Sequence, residues 1–209
     1  MTSEDAGDLF QDIEPLTRDP ILVLESWLSR AREAGVPDAD AMALATVDGK
    51  GRPDLRIVTL STLARGGLIF FTNIESAKGL QLKENPHAAV AFHWRDTGRQ
   101  VRVRGVVESV SENEADAYFA SSPREIKIAA IASDQSRPLD ARRTLMRQAA
   151  QVATVDLETS IKRPQHWGGF RLVPSAIEFW QKAEDRLHDR ILFTRDGDSL
   201  AWRRGRLYP

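Results

Sequence analysis

The sequence predicts a mainly β domain with helices, of the α+β class, in which short antiparallel strands form a closed or nearly closed barrel and the helices lie outside it. Two observations favour this class. The apolar segments are short, and turn sequences such as "DGKG" and "ARGG", rich in residues that hairpins need, connect several of them. Strands and helices do not alternate one by one, and no GxGxxG motif follows a strand, so a parallel dinucleotide-binding sheet is disfavoured.

The composition excludes several classes of function. The 209 residues suffice for one sizeable domain or two small ones, and 42% of them are hydrophobic. Lys and Arg number 29 against 30 Asp and Glu, so the net charge of −1 gives no reason to expect nucleic acid or a membrane as partner. The chain has no cysteine, and its four histidines form no HxxxH or HExxH pair, so no metal site is expected.

The N-terminal segment is expected to be a flexible arm. Residues 1–19 are acidic and polar, and they lack the basic start and apolar core of a signal peptide. No apolar run reaches the length that a membrane span requires. We therefore expect a cytoplasmic protein with a single domain over residues 20–209.

The first elements of this domain follow from capping and periodicity. Asp19 as N-cap and Pro20 in the first turn begin a helix, and Gly35 is its expected stop. Three strands are predicted between residues 41 and 73. A short helix follows in "SAKGLQLKENP" (76–86).

The rest of the chain combines strands with a helical middle. Two strands are predicted in "HAAVAFHWR" and "RQVRVRGVVESV". Ser111 and Glu114 have the spacing of a capping box, so a helix starts there, and a second helix is predicted from Leu139 onward. The chain then returns to strands in "GGFRLVPSAIEFWQ", "RLHDRILFTRDGDS" and "LAWRRGRLYP".

One of the last strands carries an unusual pattern. Arg186, His188 and Arg190 stand at every second position, so in a strand they share one face, and Leu187 falls on the opposite, buried face with the apolar residues that follow. A solvated edge strand blunted by charge explains this pattern. A face that binds a ligand explains it as well.

Four places combine charge or amide groups with the end of a strand or a turn. Arg56 enters an apolar strand, and the strand that ends near Thr72 leads to Lys78 at the start of a helix. A helix N-terminus with a lysine suits a phosphate group, although a capped helix with a solvated lysine explains the pattern too. The other places are Gln100 in a basic strand and the polar turn "SDQSRP" (133–138). Together they fit one large, polar, phosphorylated ligand.

Eight short segments form a longer series: "ALATVDGKGRPDLRIV", "FFTNIESAKG", "RQVRVRG", "ADAYFASSPR", "DQSRPL", "HWGGFRL", "IEFW" and "RLHDR", after which the chain closes on "RLYP". In order and spacing, this series resembles the pyridoxamine 5′-phosphate oxidases, from about Asp19 to Pro209. These are FMN enzymes. The resemblance implies an FMN-binding split β-barrel with antiparallel, Greek-key-like strands and peripheral helices.

The resemblance also implies an FMN site at the interface of an obligate homodimer. Arg56 and Lys78 would bind the FMN phosphate, and the strand 56–61 would run along the isoalloxazine ring. The implied cofactor-binding residues are Arg56, Ile57, Val58, Phe71, Thr72, Lys78, Gln100, Gln135, Ser136, Trp180 and Arg190, of which the last four would come from the other subunit. Arg186 and His188 would face a small-molecule substrate as catalytic residues, with Arg190 near the flavin.

The implied substrate-phosphate site departs from the family pattern. Of its residues only Tyr118 is kept, and Ser61, Ser122 and Ile126 replace a lysine, an arginine and a serine. Ala77 likewise replaces an arginine of the FMN phosphate site. Arg124 or Lys127 could replace the lost arginine, but a solvated helix face is the favoured interpretation of both.

The resemblance implies an FMN-dependent oxidase, with hydride transfer from the substrate to flavin N5 and reoxidation by dioxygen. Pyridoxine or pyridoxamine 5′-phosphate is the first substrate expected. Because the phosphate-binding residues are replaced, an unphosphorylated heteroaromatic compound resembling a phenazine precursor is the alternative. A flavin-binding protein without turnover is a further alternative.

Overall fold

The computed structural model describes residues 19–64, 66–154, 162–195 and 201–209, so the predicted arm lies outside the described residues except for Asp19. The helices of the described part are α1 (Pro20–Glu33), α2 (Ala77–Glu84), α3 (Glu112–Ser121), α4 (Arg124–Ala132) and α5 (Arg142–Ala153). Its strands are β1 (Ala41–Val47), β2 (Pro53–Thr59), β3 (Thr62–Ala64), β4 (Gly67–Asn73), β5 (His87–Trp94), β6 (Arg99–Ser109), β7 (Trp167–Gln181), β8 (Asp189–Thr194) and β9 (Arg203–Arg206).

All these strands belong to one antiparallel sheet. Its order is β2-β1-β5-β6-β7-β4-β3, with β8 paired to β7 and β9 paired to β8. β7 joins the two halves, because along one edge it pairs with β6, and along the other it pairs first with β4 and then with β8. The mainly β class with antiparallel strands is therefore confirmed, and the barrel is split rather than closed.

A bulge in β7 interrupts its pairing with β6, because Ser175 is skipped between the pairs Arg104–Ala176 and Gly105–Pro174. The register between β6 and β7 shifts between Arg104 and Gly105. A Cβ atom at Gly105 would lie 2.0 Å from the carbonyl oxygen of Val173, so a side chain does not fit there. The close approach of the two backbones thus depends on this glycine.

Helix α1 packs on the core side of the sheet through the stripe that its sequence predicts. Asp19 accepts a hydrogen bond from the Ile21 amide at 2.9 Å, as expected of the N-cap. Leu24, Trp27, Leu28 and Ala31 are all buried. The Trp27 ring meets Phe179 of β7 edge to face at 5.2 Å. No helix in the described ranges is long and apolar enough to span a bilayer.

Three element predictions need correction. The segment 41–73 holds four strands, because the short β3 forms a hairpin with β4. Helix α4 was not predicted as a separate element, since its N-cap residue, Pro123, provides no side-chain hydrogen bond that the sequence could signal. The helix predicted from Leu139 begins at Arg142. The capping box of Ser111 and Glu114 is confirmed.

The prediction that Arg186, His188 and Arg190 share a strand face is wrong. β8 begins at Asp189, and Arg186 lies in the preceding loop with a φ of 65°. Leu187, predicted to be buried, is 69% exposed. Local hydrogen bonds hold this loop, because Asp185 accepts from the Leu187 amide at 2.9 Å and His188 Nδ1 accepts from the Ala183 amide at 3.0 Å.

Candidate active site

A cavity of about 650 Å³ opens between the edge strand β2, the end of β4 and the start of α2. We call it the β2–α2 cavity. Its lining residues are Asp54, Leu55, Arg56, Ile57, Val58, Thr59, Phe71, Thr72, Ala77, Lys78, Tyr118, Ile126, Gln135, Ser136 and Trp167. Ten of the predicted site residues are among them, so the structure brings together residues that lie far apart in the chain.

Lys78 is a buried cation whose hydrogen-bond partners are neutral. Only 8% of the residue is exposed, and its ammonium donates to Gln135 Oε1 at 2.9 Å and to the hydroxyls of Thr72 and Ser76, both at 3.2 Å. Burial lowers the pKa of Lys78, and the neighbouring charge of Arg56 lowers it further, whereas Asp54 opposes both. No carboxylate in the described part of the chain forms an ion pair with it. The site therefore fits an anion such as a phosphate.

Arg56 lies beside Lys78 and is held by its own chain. Its Nη1 donates to the buried Thr46 hydroxyl at 2.6 Å, and its Nη2 donates to Gln81 Oε1 at 2.9 Å and to Asp54 Oδ2 at 2.6 Å. A hydrogen bond from the Gln81 amide is the largest of the effects that lower the pKa of Asp54. The charge of Arg56 also lowers this pKa, whereas burial raises it. One face of the guanidinium group is thus fixed, and its side chain is 18% exposed.

The turn between β4 and α2 places Lys78 against the cavity. Ser76 caps α2 by accepting a hydrogen bond from the Gly79 amide at 3.4 Å. A Cβ atom at Gly79 would lie 2.3 Å from the Ile74 carbonyl oxygen, so only glycine allows this tight turn. The amides of Ala77 and Lys78 belong to the first turn, where a helix leaves its N–H groups free for an anion.

Part of the cavity lining is aromatic and apolar. The rings of Phe71 and Tyr118 stack at 3.7 Å with an interplanar angle of 5°. Ile126 of α4 lines the same region and is 38% exposed. We call these three residues the aromatic end, and Arg56, Lys78 and Gln135 the cationic end.

The neighbouring hydroxyl and basic groups are engaged elsewhere. Ser122 is buried and donates to the Tyr118 carbonyl at 2.8 Å, and Ser61 does not line the cavity. Arg124 donates to the Ala153 carbonyl and Lys127 to the Ala120 carbonyl, each at 2.6 Å. Neither basic group lines the cavity, which agrees with the helix-face interpretation.

Two arginines with largely covered side chains fix α3 and therefore Tyr118. Arg171 of β7 pairs with Glu114 at 2.6 Å and with Glu108 at 2.9 Å. Arg163 pairs with Asp116 at 2.7 Å and also with Glu112. Sequence reasoning missed both arginines, and their charged partners gave no signal because they are separated in sequence.

Thr46 and Gln81, which hold Arg56, were also missed. Two signals were available for them. Thr46 is the single hydroxyl residue in the apolar segment "AMALATV", and Gln81 follows Lys78 by one helical turn.

A second group of predicted residues lies elsewhere on the sheet. Gln100, Trp180 and Arg190 are paired neighbours across β6, β7 and β8. The Trp180 ring approaches His188 at 4.9 Å, and Arg190 donates to Glu178 at 2.9 Å. None of these residues lines the β2–α2 cavity. β7 reaches the cavity through Trp167, and Trp180 lies 13 residues further along the same strand, roughly 40 Å of extended chain.

Gln135 and Ser136 lie close to Lys78 within this chain. They were expected from the other subunit, but they line the cavity of the chain that carries Lys78. Gln135 Oε1 accepts hydrogen bonds from both Lys78 and Thr72 of the same chain. Ser136 adopts a positive φ of 71° in this polar turn. The "SDQSRP" turn therefore completes the cationic end within one copy.

Comparisons with known proteins identify the family of this chain. A family model described as pyridoxamine 5′-phosphate oxidase matches residues 28–156, and one described as the pyridoxine 5′-phosphate oxidase C-terminal dimerisation region matches residues 167–209. The chain belongs to the pyridoxamine 5′-phosphate oxidase family. The predicted resemblance and the assignment to FMN-dependent oxidases are thereby confirmed.

Individual relatives cover nearly the whole chain. A pyridoxine/pyridoxamine 5′-phosphate oxidase from Hyphomonas neptunium is 52% identical over 196 residues, which are 93% of this chain and 89% of the relative. One of the same name from Maricaulis maris is 48% identical, over 91% of this chain and 86% of the relative.

A solved structure is similarly close over its full length. PhzG from Burkholderia lata, crystallised with tetrahydrophenazine-1-carboxylic acid, is 33% identical with a TM-score of 0.90, and the match covers 97% of this chain and 98% of PhzG. An FMN-binding protein from Nostoc punctiforme shares the fold, with a TM-score of 0.71 at 19% identity over 89% of this chain and 95% of that protein.

Proposed function

We propose that this protein binds FMN in the β2–α2 cavity and oxidises a small ring compound there. The observation that carries the proposal is Lys78, a buried ammonium group with neutral partners beside Arg56. A phosphate dianion would supply the missing counter-charge and accept charge-assisted hydrogen bonds from both side chains. The first-turn amides of α2 would add further donors.

The residues of the cavity fit the rest of the cofactor. Strand β2 offers its edge, with Ile57 and Val58, as a flat surface for the isoalloxazine ring, and Ile57 is 66% exposed. Phe71 and Thr72 of β4 would border the ring on the other side. When bound, FMN accepts a hydride at N5 and passes the electrons to dioxygen.

We further propose that a homodimer completes the site. Trp180 lies far along β7 from Trp167, the residue of that strand that lines the cavity, and Gln100 and Arg190 are its paired neighbours, so none of the three lines the cavity of its own chain. A second copy could bring them to it, together with Arg186 and His188 of the adjoining loop. The match of residues 167–209 to a dimerisation region supports this arrangement. Each dimer would then hold two equivalent sites.

The catalytic contribution of the chain would be orientation and charge. Arg186 and His188 would hold the substrate ring against the flavin. They would also stabilise the negative charge that develops on the flavin during hydride transfer. The substrate would lose a hydride from a carbon next to an amine, alcohol or ring nitrogen, and a proton from that heteroatom. Dioxygen, as the acceptor, would leave as hydrogen peroxide, which balances the two electrons and two protons.

Pyridoxine or pyridoxamine 5′-phosphate is one candidate substrate, supported by the name that relatives at 48 to 52% identity carry. An unphosphorylated heteroaromatic compound is the other, and the apolar character of the aromatic end favours it.

Titration of FMN into the cofactor-free protein tests the cofactor assignment, with quenching of flavin fluorescence as the signal. Arg56→Ala combined with Lys78→Ala should weaken binding by at least about a hundredfold, since two charge-assisted contacts are lost. Lys83→Ala is the matched control, because Lys83 lies on the same helix but outside the cavity. Equal FMN affinity in the double variant and the control would refute the assignment.

A further inference from the structure

We infer that the aromatic end of the β2–α2 cavity selects an uncharged ring and provides no binding site for a substrate phosphate, with Ile126 as a specificity-determining residue. This inference rests on the proposed function and deepens it, since it names the substrate class of the same site. It follows from the distribution of charge along the cavity.

Among the described residues, two cationic side chains line the cavity. They are Arg56 and Lys78, and the phosphate of the cofactor would occupy both. A phosphate on a second ligand would therefore need another cation at the other end. Bringing such a dianion out of water without a partner costs several kcal/mol.

The aromatic end offers packing instead of charge. Phe71 and Tyr118 form a parallel stack, and Ile126 adds an aliphatic side chain next to it. The basic groups of α4 donate to backbone carbonyls, Arg124 to Ala153 and Lys127 to Ala120. Ser122, one helical turn after Tyr118, uses its hydroxyl on the Tyr118 carbonyl.

In the proposed dimer, the second copy would add Arg186 to the substrate region. In the proposed function, this residue and His188 hold the substrate ring against the flavin, so they are assigned to the ring and not to a phosphate. The flat faces of Phe71 and Tyr118 suit an aromatic ring, which gains from stacking and from leaving water. The substrate class is thus an unphosphorylated aromatic or partly reduced ring compound.

The test compares two probes that differ only in the phosphate, pyridoxine and pyridoxine 5′-phosphate. Both are titrated into the FMN-loaded protein without oxygen, and the change in flavin absorbance reports binding and reduction. We expect no preference for the phosphorylated probe. The affinity for pyridoxine 5′-phosphate should exceed that for pyridoxine by less than about threefold, or pyridoxine 5′-phosphate should not bind. A preference of tenfold or more for the phosphorylated probe would overturn the inference.

A gain-of-function variant makes the test sharper. Ile126→Arg places a cation at the aromatic end, and because Ile126 is partly exposed, the change leaves the core intact. It should create a preference of about tenfold for pyridoxine 5′-phosphate. Glu125→Arg, an exposed position on the same helix outside the cavity, should create none.

The two variants also separate the failure of this inference from that of the proposed function. If Ile126→Arg and Glu125→Arg behave alike, Ile126 does not determine specificity and the inference fails. If the wild-type protein does not bind FMN, the proposed function fails. Bound FMN together with a strong phosphate preference in the wild type overturns only the inference.

Discussion

Arg56 and Asp54 form an ion pair of 2.6 Å on β2, at the cationic end of the cavity. Both residues line the cavity, and the Asp54 side chain is 48% exposed. The carboxylate therefore competes for the guanidinium group that is proposed to hold the FMN phosphate, and it repels that phosphate. The protein is expected to bind its cofactor less tightly than the two cations alone would allow.

Asp54→Asn should tighten FMN binding. Removing one half-exposed negative charge is expected to lower the dissociation constant about threefold to fivefold. Fluorescence titration at low and high salt measures the effect, which should shrink as salt increases. Asp96→Asn, at an exposed position away from the cavity, is the control. A weaker affinity in Asp54→Asn would show that Asp54 positions Arg56 rather than opposing the phosphate.

Lys78 should make the stability of the cofactor-free protein depend on pH. Burial lowers its pKa, so the folded state binds this proton less tightly than the unfolded state does. The free energy of unfolding should therefore rise with pH between the lowered pKa and the ordinary lysine value of about 10.4.

Urea unfolding of the cofactor-free protein at several pH values measures this rise. Lys78→Met should remove it, because the methionine has no proton to lose. Lys83→Met should keep it, since Lys83 is exposed. If all three proteins gave the same pH dependence, the rise would come from other groups.

Ala77→Arg should strengthen the cationic end. Ala77 lines the cavity, is exposed and stands next to Lys78 at the start of α2. A third cation there should lower the FMN dissociation constant about tenfold, the usual gain from one charge-assisted hydrogen bond. Leu80→Arg adds the same charge to an exposed position of α2 outside the cavity, and it should leave the affinity unchanged within about twofold.

A mixture of two inactive variants tests the shared site. Lys78→Ala damages the cavity, and Trp180→Ala damages the second group of residues. If each site takes Lys78 from one copy and Trp180 from the other, refolding the two variants together should restore about a quarter of the FMN sites. No recovery beyond the separate variants, with mixed dimers demonstrated, would place both residues in the site of a single copy.

Much of the site could be predicted because its chemistry is carried by residues in unusual positions. A charged Arg56 in an apolar strand and Lys78 at a helix start are visible in sequence, and the structure brings them together with Gln135. The capping box at Ser111 was likewise predictable, because both of its partners lie within one helical turn.

The rest depended on contacts that sequence does not reveal. The alternation of Arg186, His188 and Arg190 can occur in a strand or in a loop. Here the hydrogen bond from the Ala183 amide to His188 Nδ1 stabilises the loop. The ion pair of Arg171 with Glu114 joins residues 57 positions apart, and nothing local signals it. Capping signals and periodicity were therefore enough to locate most of the elements. The contacts between elements could be seen only in the structure.

The most direct test of the proposed function is a crystal structure of the protein grown with FMN. The prediction is that the phosphate lies about 3 Å from Lys78 Nζ and from the Arg56 guanidinium group of one copy. Trp180 of the second copy should contact the same cofactor. FMN bound away from Lys78, or a complete flavin site within a single copy, would contradict the account.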